Sequence, residues 1–196
     1  MRMLAVLLFF VVGAAQAAVG LTELAGIDGD GPVTVFYPTS GEAKPLKRGP
    51  FALTLAWQGT PMRGNGRLVV VSHGSGGSPW VHSDLAVALV DAGFVVAMPE
   101  HQGDNFKDPG APGPASWRRR PAEVSRAIDA VGRDARFAPL LRLDKVGMYG
   151  MSAGGHTALS LAGGRWSPAS FSRHCVAHIA EEIGRASCRE RVSLNV

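Results

Sequence analysis

The sequence predicts an α/β fold in which helices flank a mostly parallel β-sheet. Two short apolar segments, residues 68–71 and 94–98, have the pattern of strands that are buried within such a sheet, and residues 145–149 predict a third strand parallel to them. Segments with helical spacing of their apolar residues alternate with these strands. The 196 residues are 46% hydrophobic and 18% charged, which suits one globular domain rather than a disordered chain.

Two further strands are predicted before the parallel ones. Residues 32–37 are β-branched and aromatic, and residues 51–57 alternate large apolar side chains with smaller ones. Residues 41–50 between them are polar and rich in turn formers, which predicts a loop. We expect these two strands to form an antiparallel edge of the sheet.

Helices are predicted after each parallel strand. The first carries apolar residues at helical spacing from Leu85 to Ala92, and Gly93 is placed to end it. After a loop over 101–118, the second is expected to start at Pro121, because proline's missing N–H costs nothing at the first helical position. The third, residues 152–162, directly follows the last parallel strand.

The N-terminus has the features of a secretory signal peptide over residues 1–17. Arg2 supplies a positive charge, Leu4 to Val12 is an unbroken apolar stretch, and Ala15-Gln16-Ala17 fits the small-residue cleavage rule. The apolar stretch is too short to cross a bilayer, which takes about 20 residues. We therefore expect cleavage after Ala17, no stable membrane anchor thereafter, and a secreted or periplasmic protein.

Residues 182–196 are predicted to be a non-native read-through tail. Codons for residues 182–192 can spell a string that resembles a common sequencing-adapter oligonucleotide. On this interpretation the gene was cut short, and residues 18–181 form a partial domain. The alternative is a genuine polar tail.

The charge of the chain argues against a nucleic-acid partner. Of the formal charge of +4, Arg2 and residues 182–196 contribute +1 each, which leaves +2 for residues 18–181. The densest basic segment, residues 118–120, is short and is followed by Pro121. Nucleic-acid binding requires a broad basic face, which this pattern does not provide.

The strongest chemical signal is Gly150-Met151-Ser152-Ala153-Gly154, which fits the G-x-S-x-G pattern. A buried strand precedes it and a helix follows it, as this motif requires. The turn lifts the serine Oγ above the sheet at a helix N-terminus, where developing negative charge is favoured. We predict Ser152 as the nucleophile; the alternative is a glycine-rich turn without a reactive serine.

A second glycine-rich segment, residues 72–77, follows the first parallel strand. In hydrolases with a serine turn this loop supplies half of the oxyanion hole. We predict the backbone N–H groups of Ser75 and Ala153 as the two oxyanion donors. A phosphate loop is excluded because no Gly-Lys-Ser/Thr follows, whereas a plain turn stays as an alternative.

Other polar residues at this sheet edge are assigned supporting roles. His73 is expected to hold the shape of the loop rather than to act as a general base. Residues 100–105 follow the second parallel strand, so they face the same edge and are predicted to fix a loop or face substrate. Their spacing matches no metal motif. His156 is expected to fill a helix face.

Together, residues 70–77, 93–101 and 149–155 resemble bacterial dienelactone-hydrolase-like proteins of the α/β-hydrolase fold, close in pattern to platelet-activating-factor acetylhydrolases and polyester hydrolases. The resemblance covers roughly residues 30 to 180. It implies hydrolysis of a small carboxylic ester without a metal or organic cofactor. It supports Ser152 as nucleophile and the amides of Ser75 and Ala153 as oxyanion donors.

One departure from the family concerns the rest of the catalytic machinery. The family's acidic residue and histidine follow later strands, which this chain lacks, so only the N-terminal part of the fold is expected here and the chain by itself should be nearly inactive. No strand–loop order supports the candidates after the serine: His156, His174, His178, Glu181, Glu182 and Glu190. A serine peptidase, a thioesterase and a non-catalytic binding module of the same fold stay as alternatives.

Overall fold

The computed structural model describes residues 17–165 and 167–178. Its strands are β1 (Ala18–Leu24), β2 (Val33–Thr39), β3 (Lys44–Arg48), β4 (Phe51–Trp57), β5 (Leu68–Ser72), β6 (Val95–Pro99) and β7 (Val146–Gly150). Its helices are α1 (Ser83–Asp91), α2 (Pro114–Arg133), α3 (Ala153–Leu161) and α4 (Pro168–Ala177), with 3₁₀ turns at Pro79–His82 and Ala138–Leu140. The described strands form a single sheet of order β3-β4-β1-β2-β6-β5-β7.

The three predicted parallel strands are confirmed as neighbours, but the expected burial of β7 is wrong: none of its residues is fully buried, because it is the last strand of the described sheet. β5 lies between β6 and β7 and is parallel to both, with Leu68 paired to Val95 on one side and to Val146 on the other. Because parallel strands all end at one edge of the sheet, the segments that follow β5, β6 and β7 converge there. This edge carries the candidate site.

The N-terminal half of the sheet differs from the prediction. β1 was not predicted, and β3 lies within the expected loop over 41–50. β1 separates β2 from β4, so the expected antiparallel pair is wrong, and β2 instead pairs with β6 inside the sheet. β3 is the edge strand at this end of the sheet, and the lysine, arginine and proline residues of its sequence KPLKR protect the exposed edge from further pairing.

The predicted start of α2 is also wrong. The helix begins at Pro114, directly after Gly113 with a φ of 80°, and it continues through Pro121. An internal proline removes one hydrogen bond and crowds the preceding turn, at about 3 kcal/mol. The tertiary contacts of the buried face of α2 outweigh this penalty, because that face packs on the sheet through Val124, Ala127 and Val131.

Helices cover both faces of the sheet, as the apolar strands predicted. Alternate residues of β6 point to opposite sides: Val95 and Ala97 pack in a core cluster with α2, whereas Val96 and Met98 pack in another with α1. The stop at Gly93, which has a φ of 87°, is confirmed. Together with the sheet order, this two-sided packing shows an α/β-hydrolase type of architecture.

Two sequence-based predictions lie outside the described residues. These are the signal peptide, described only at Ala17, and the read-through tail over 182–196. Among the helices of the described ranges, none is both long enough and apolar enough to cross a membrane.

Candidate active site

The turn between β7 and α3 has the strained geometry expected of a nucleophile turn. Ser152 has φ 54° and ψ −117°, a backbone conformation with positive φ that residues other than glycine rarely adopt. A Cβ on Gly150 would collide with the Gly154 carbonyl, and a Cβ on Gly154 would collide with the carbonyl of Ser72. The two glycines of the motif are therefore required for α3 to approach β7 and β5 this closely.

The side chain of Ser152 stays available for chemistry. Ser152 is exposed, and its side chain makes no capping hydrogen bond to α3, although the residue stands at the helix N-cap. The Oγ therefore lies beside the positive end of the helix dipole but makes no hydrogen bond to the first N–H groups of the helix.

The predicted oxyanion loop lies directly against this turn. A Cβ added to Gly74 would be 3.4 Å from the Cβ of Ser152. Ser75, Ser152 and Ala153 line one cavity of about 390 Å³, whose other walls include Trp117 and His156. The structure thus brings all three sequence-predicted site residues together.

Both predicted donor groups are unengaged within the described part of the chain. There, neither the N–H of Ser75 nor that of Ala153 donates a hydrogen bond to another residue. An unpaired backbone N–H beside a cavity can donate a hydrogen bond to the negative oxygen of a tetrahedral intermediate. The roles of the two amides stay predictions.

His73 is held as a neutral imidazole and cannot serve as a base. Its Nδ1 lies 2.7 Å from the Gly74 carbonyl, which can only accept, and its Nε2 accepts from the backbone N–H of His101 at 3.2 Å. These partners set the Nδ1–H tautomer. Burial, together with the neighbouring His101, lowers the pKa of His73 to about 3. The geometry agrees with the loop-shaping role expected for His73.

His101 joins a second buried chain of hydrogen bonds. Its Nε2 lies 2.7 Å from Ser72 Oγ, and its Nδ1 lies 2.5 Å from Glu123 Oε2. The order serine, histidine, carboxylate matches a catalytic triad, yet all three side chains are buried and inaccessible to substrate. Burial lowers the pKa of His101, despite the Glu123 hydrogen bond that raises it. This array therefore supports the loop rather than performing chemistry.

The polar residues of α2 were missed as members of the site. Arg120 was seen only as part of a basic segment, and Glu123 was not considered. A signal for both exists in the sequence: they lie on the same helical face as Val124 and Ala127, which is the face that packs on the sheet.

No base or metal accompanies Ser152 in the described part of the chain. Within residues 17–165 and 167–178, no histidine hydrogen-bonds to its Oγ, and no three His, Cys, Asp or Glu side chains are grouped to hold a metal. His156 packs against Trp117, with ring centroids 5.3 Å apart. His174 and His178 lie on or just after α4, whereas Glu181, Glu182 and Glu190 lie outside the described residues.

Comparisons with known proteins identify the fold of the chain and one family that part of it resembles. Residues 51–107 match the family described as platelet-activating factor acetylhydrolase, isoform II. A ferulic acid esterase from Streptomyces cinnamoneus has a similar structure, with a TM-score of 0.60 and 18% identity over 78% of this chain. The chain has an α/β-hydrolase fold, and its residues 51–107 are similar to the platelet-activating factor acetylhydrolases.

The two matches differ in how much of the chain they cover. The family match includes the loop over 72–77 but ends before Ser152. The solved esterase is matched over 57% of its own length, and at 18% identity the likeness concerns the fold alone. No curated protein matches the chain.

Proposed function

We propose that this α/β-hydrolase is a serine hydrolase of carboxylic esters with Ser152 as its nucleophile. The observation that carries the proposal is the strained, exposed Ser152 at the β7–α3 turn, which shares a cavity with two unengaged backbone amides. The relationship to acetylhydrolases and the fold shared with an esterase support an ester substrate.

The proposed reaction proceeds in two steps. The Oγ of Ser152 attacks the ester carbonyl, the amides of Ser75 and Ala153 stabilise the tetrahedral oxyanion, and the alcohol leaves to give an acyl-serine. Water then attacks the acyl-serine and releases the carboxylic acid. A histidine with an orienting carboxylate must take and return the proton. We place both in a part of the full-length protein that follows residue 181.

The decisive experiment is hydrolysis of a p-nitrophenyl ester by the full-length protein and by its Ser152→Ala variant. Removing the nucleophile of such a unit costs up to about 10⁶-fold in kcat, so the variant should fall close to background. Ser160→Ala is the matched control, because this hydroxyl also lies on α3 but only bonds the His156 carbonyl of its own helix. Unchanged hydrolysis by Ser152→Ala would refute the proposal.

Measurements on the 196-residue chain itself address the missing base. Without a histidine and acid, only the oxyanion hole and substrate binding remain, which leaves at most about 10³–10⁴-fold over water. A chain as fast as the full-length protein would show instead that His156, His174 or His178 is the base. Activity confined to p-nitrophenyl thioesters or anilides would favour the thioesterase or peptidase alternative.

We also propose that the protein is exported, with cleavage after Ala17, and that it acts on a small ester rather than on nucleic acid. The support is the sequence pattern of residues 1–17. N-terminal sequencing of the protein recovered outside the cytoplasm should begin at Ala18. A mature protein that retains Met1 would contradict export by this route.

A further inference from the structure

A buried ion pair lies beneath the oxyanion loop. Asp104, in the loop after β6, and Arg120, on α2, are both fully buried, and Asp104 Oδ2 lies 2.9 Å from Arg120 Nη2. A buried pair of charges is tolerated only when further hydrogen bonds satisfy its remaining donors and acceptors. Those further bonds are directed chiefly at residues 73–76.

Asp104 holds the loop on the C-terminal side of Ser75. Its Oδ1 accepts from Ser75 Oγ at 2.5 Å and from the N–H of Gly76 at 3.0 Å. Its Oδ2 accepts from Ser116 Oγ at 2.7 Å in addition to Arg120. Burial by itself would raise the pKa of Asp104, but the hydrogen bonds from Ser75, Ser116 and Gly76 outweigh it and lower that pKa. The carboxylate is therefore ionised and binds both the Ser75 hydroxyl and the backbone N–H of the next residue, Gly76.

Arg120 holds the loop on the N-terminal side. Its Nη1 donates to the His73 carbonyl at 2.6 Å, and its Nη2 donates to the Gly74 carbonyl at 3.3 Å. The Gly74 carbonyl also accepts from His73 Nδ1 at 2.7 Å and from the N–H of Gly77 at 3.1 Å. Three donors thus fix the direction of this single oxygen.

The direction of the Gly74 carbonyl determines where the Ser75 N–H points. Both belong to one peptide unit, and in a planar trans peptide the C=O and the N–H point in opposite directions. No described peptide bond is cis. Because Arg120 draws the Gly74 carbonyl into the interior, the Ser75 N–H is turned outward, on the side where Ser75 lines the cavity with Ser152.

We propose that Asp104 and Arg120 are positioning residues that orient the Ser75 amide as an oxyanion donor. This inference rests on the proposed function, since it assigns the pair a role in that reaction. Both side chains are fully buried, so the pair would act on the reaction through residues 73–76. Its removal should therefore weaken transition-state stabilisation more than substrate binding.

The test compares Asp104→Asn with Asp30→Asn in the full-length protein. Asp30 forms the matched ion pair, because it binds Arg126 of the same helix through two bonds of 2.6 and 2.7 Å but contacts no part of the loop. Losing a whole oxyanion donor costs about 10²–10³-fold in kcat, so a misdirected one should cost roughly 10- to 100-fold. The affinity for a phenylboronic acid, which forms a tetrahedral adduct with the serine, should fall in parallel. KM should stay nearly constant, and Asp30→Asn should match the wild type.

Ser75→Ala provides a second variant if Asp104→Asn does not fold. It removes one bond to Asp104 and leaves both amides in place, so kcat should fall by a smaller factor, about threefold to tenfold on the scale of one hydrogen bond. Folding is checked by near-ultraviolet circular dichroism.

Several outcomes would overturn the inference. The first is wild-type kcat and boronate affinity in a folded Asp104→Asn variant or, where that variant fails to fold, in Ser75→Ala. The second is an increase in KM at constant kcat in the same variant. The third is an equal loss of kcat in Asp30→Asn. If Ser152→Ala abolishes hydrolysis while Asp104→Asn has no effect, this inference fails and the proposed function stands. If Ser152→Ala is fully active, the proposed function fails instead.

Discussion

At the residue scale, the candidate site depends on positions where the surrounding atoms allow only one type of residue. Gly154 lies so close to β5 that any Cβ would meet the carbonyls of Ser72 and His73. His73 is equally constrained, because both ring nitrogens have partners with fixed roles. Such positions link the local sequence motif to the tertiary contact between the serine turn and the oxyanion loop.

Gly154→Ala should therefore destabilise the fold. The added methyl group meets backbone atoms that cannot move independently, and overpacking of this kind typically costs about 1–3 kcal/mol in the free energy of unfolding. Gly110→Ala is the control, since its Cβ would meet only Asp108 at 3.5 Å in an exposed loop. Urea denaturation of the full-length protein measures both, and equal stabilities would show that the close approach is not real.

His73 should make stability depend on pH. Its pKa is about 3 in the folded protein and about 6.5 when unfolded. Between these values the unfolded chain binds more protons, so stability is lost as pH falls from about 6.5 towards 3, by at most about 1.4 kcal/mol per pH unit. His73→Asn should reduce this slope between pH 4 and 6, as measured by urea denaturation at each pH. An unchanged slope in His73→Asn would contradict burial of a neutral imidazole.

At the element scale, α2 joins the hydrophobic core to the polar support of the loop. One face carries Val124, Ala127 and Val131 into the core, and its N-terminal continuation carries Ser116 and Arg120 beneath the loop. This explains why the helix extends back to Pro114 instead of starting at Pro121. The additional turns are held by hydrogen bonds to Asp104, His73 and Gly74 together with the packing of Trp117 on His156.

Glu123→Leu should lower the free energy of unfolding, because His101 depends on this residue of α2 for a buried hydrogen bond. The substitution leaves the buried Nδ1 of His101 without its partner, and an unsatisfied buried donor costs about 1–3 kcal/mol. Asp129→Leu is the matched control on the same helix, because its ion pair with Arg133 is long and solvent-exposed at 3.7 Å and such pairs contribute about 0–1 kcal/mol. A thermal or urea transition that shifts equally in both variants would argue against the buried array.

At the scale of the whole molecule, the described sheet is asymmetric. The β3 edge carries charged residues and proline, whereas the β7 edge is flanked by exposed apolar side chains. These include Tyr149, Met151, Leu159 and Leu161, which are 42%, 41%, 70% and 41% exposed. Apolar side chains beside an open strand edge favour association with another chain.

Residues 18–196 expressed alone should therefore self-associate or lack fixed tertiary packing. Each large apolar side chain left in water forfeits roughly 1.5–3 kcal/mol, which is a large share of a total stability of about 5–15 kcal/mol. Sedimentation velocity and near-ultraviolet circular dichroism measure the two properties. A soluble monomer with a sharp near-ultraviolet spectrum and a cooperative thermal transition would contradict this prediction.

Local sequence patterns are enough to predict the parallel strands β5, β6 and β7, the turn at Ser152 and the loop over 72–77. These features are encoded locally, because a continuous apolar segment and a glycine pattern specify a buried strand and a tight turn without distant partners. Only the tertiary structure placed β1 between β2 and β4, turned β3 into an edge strand and extended α2 to Pro114. Strand order and the burial of Arg120 and Glu123 arise from pairings between residues far apart in the chain, which local periodicity does not record.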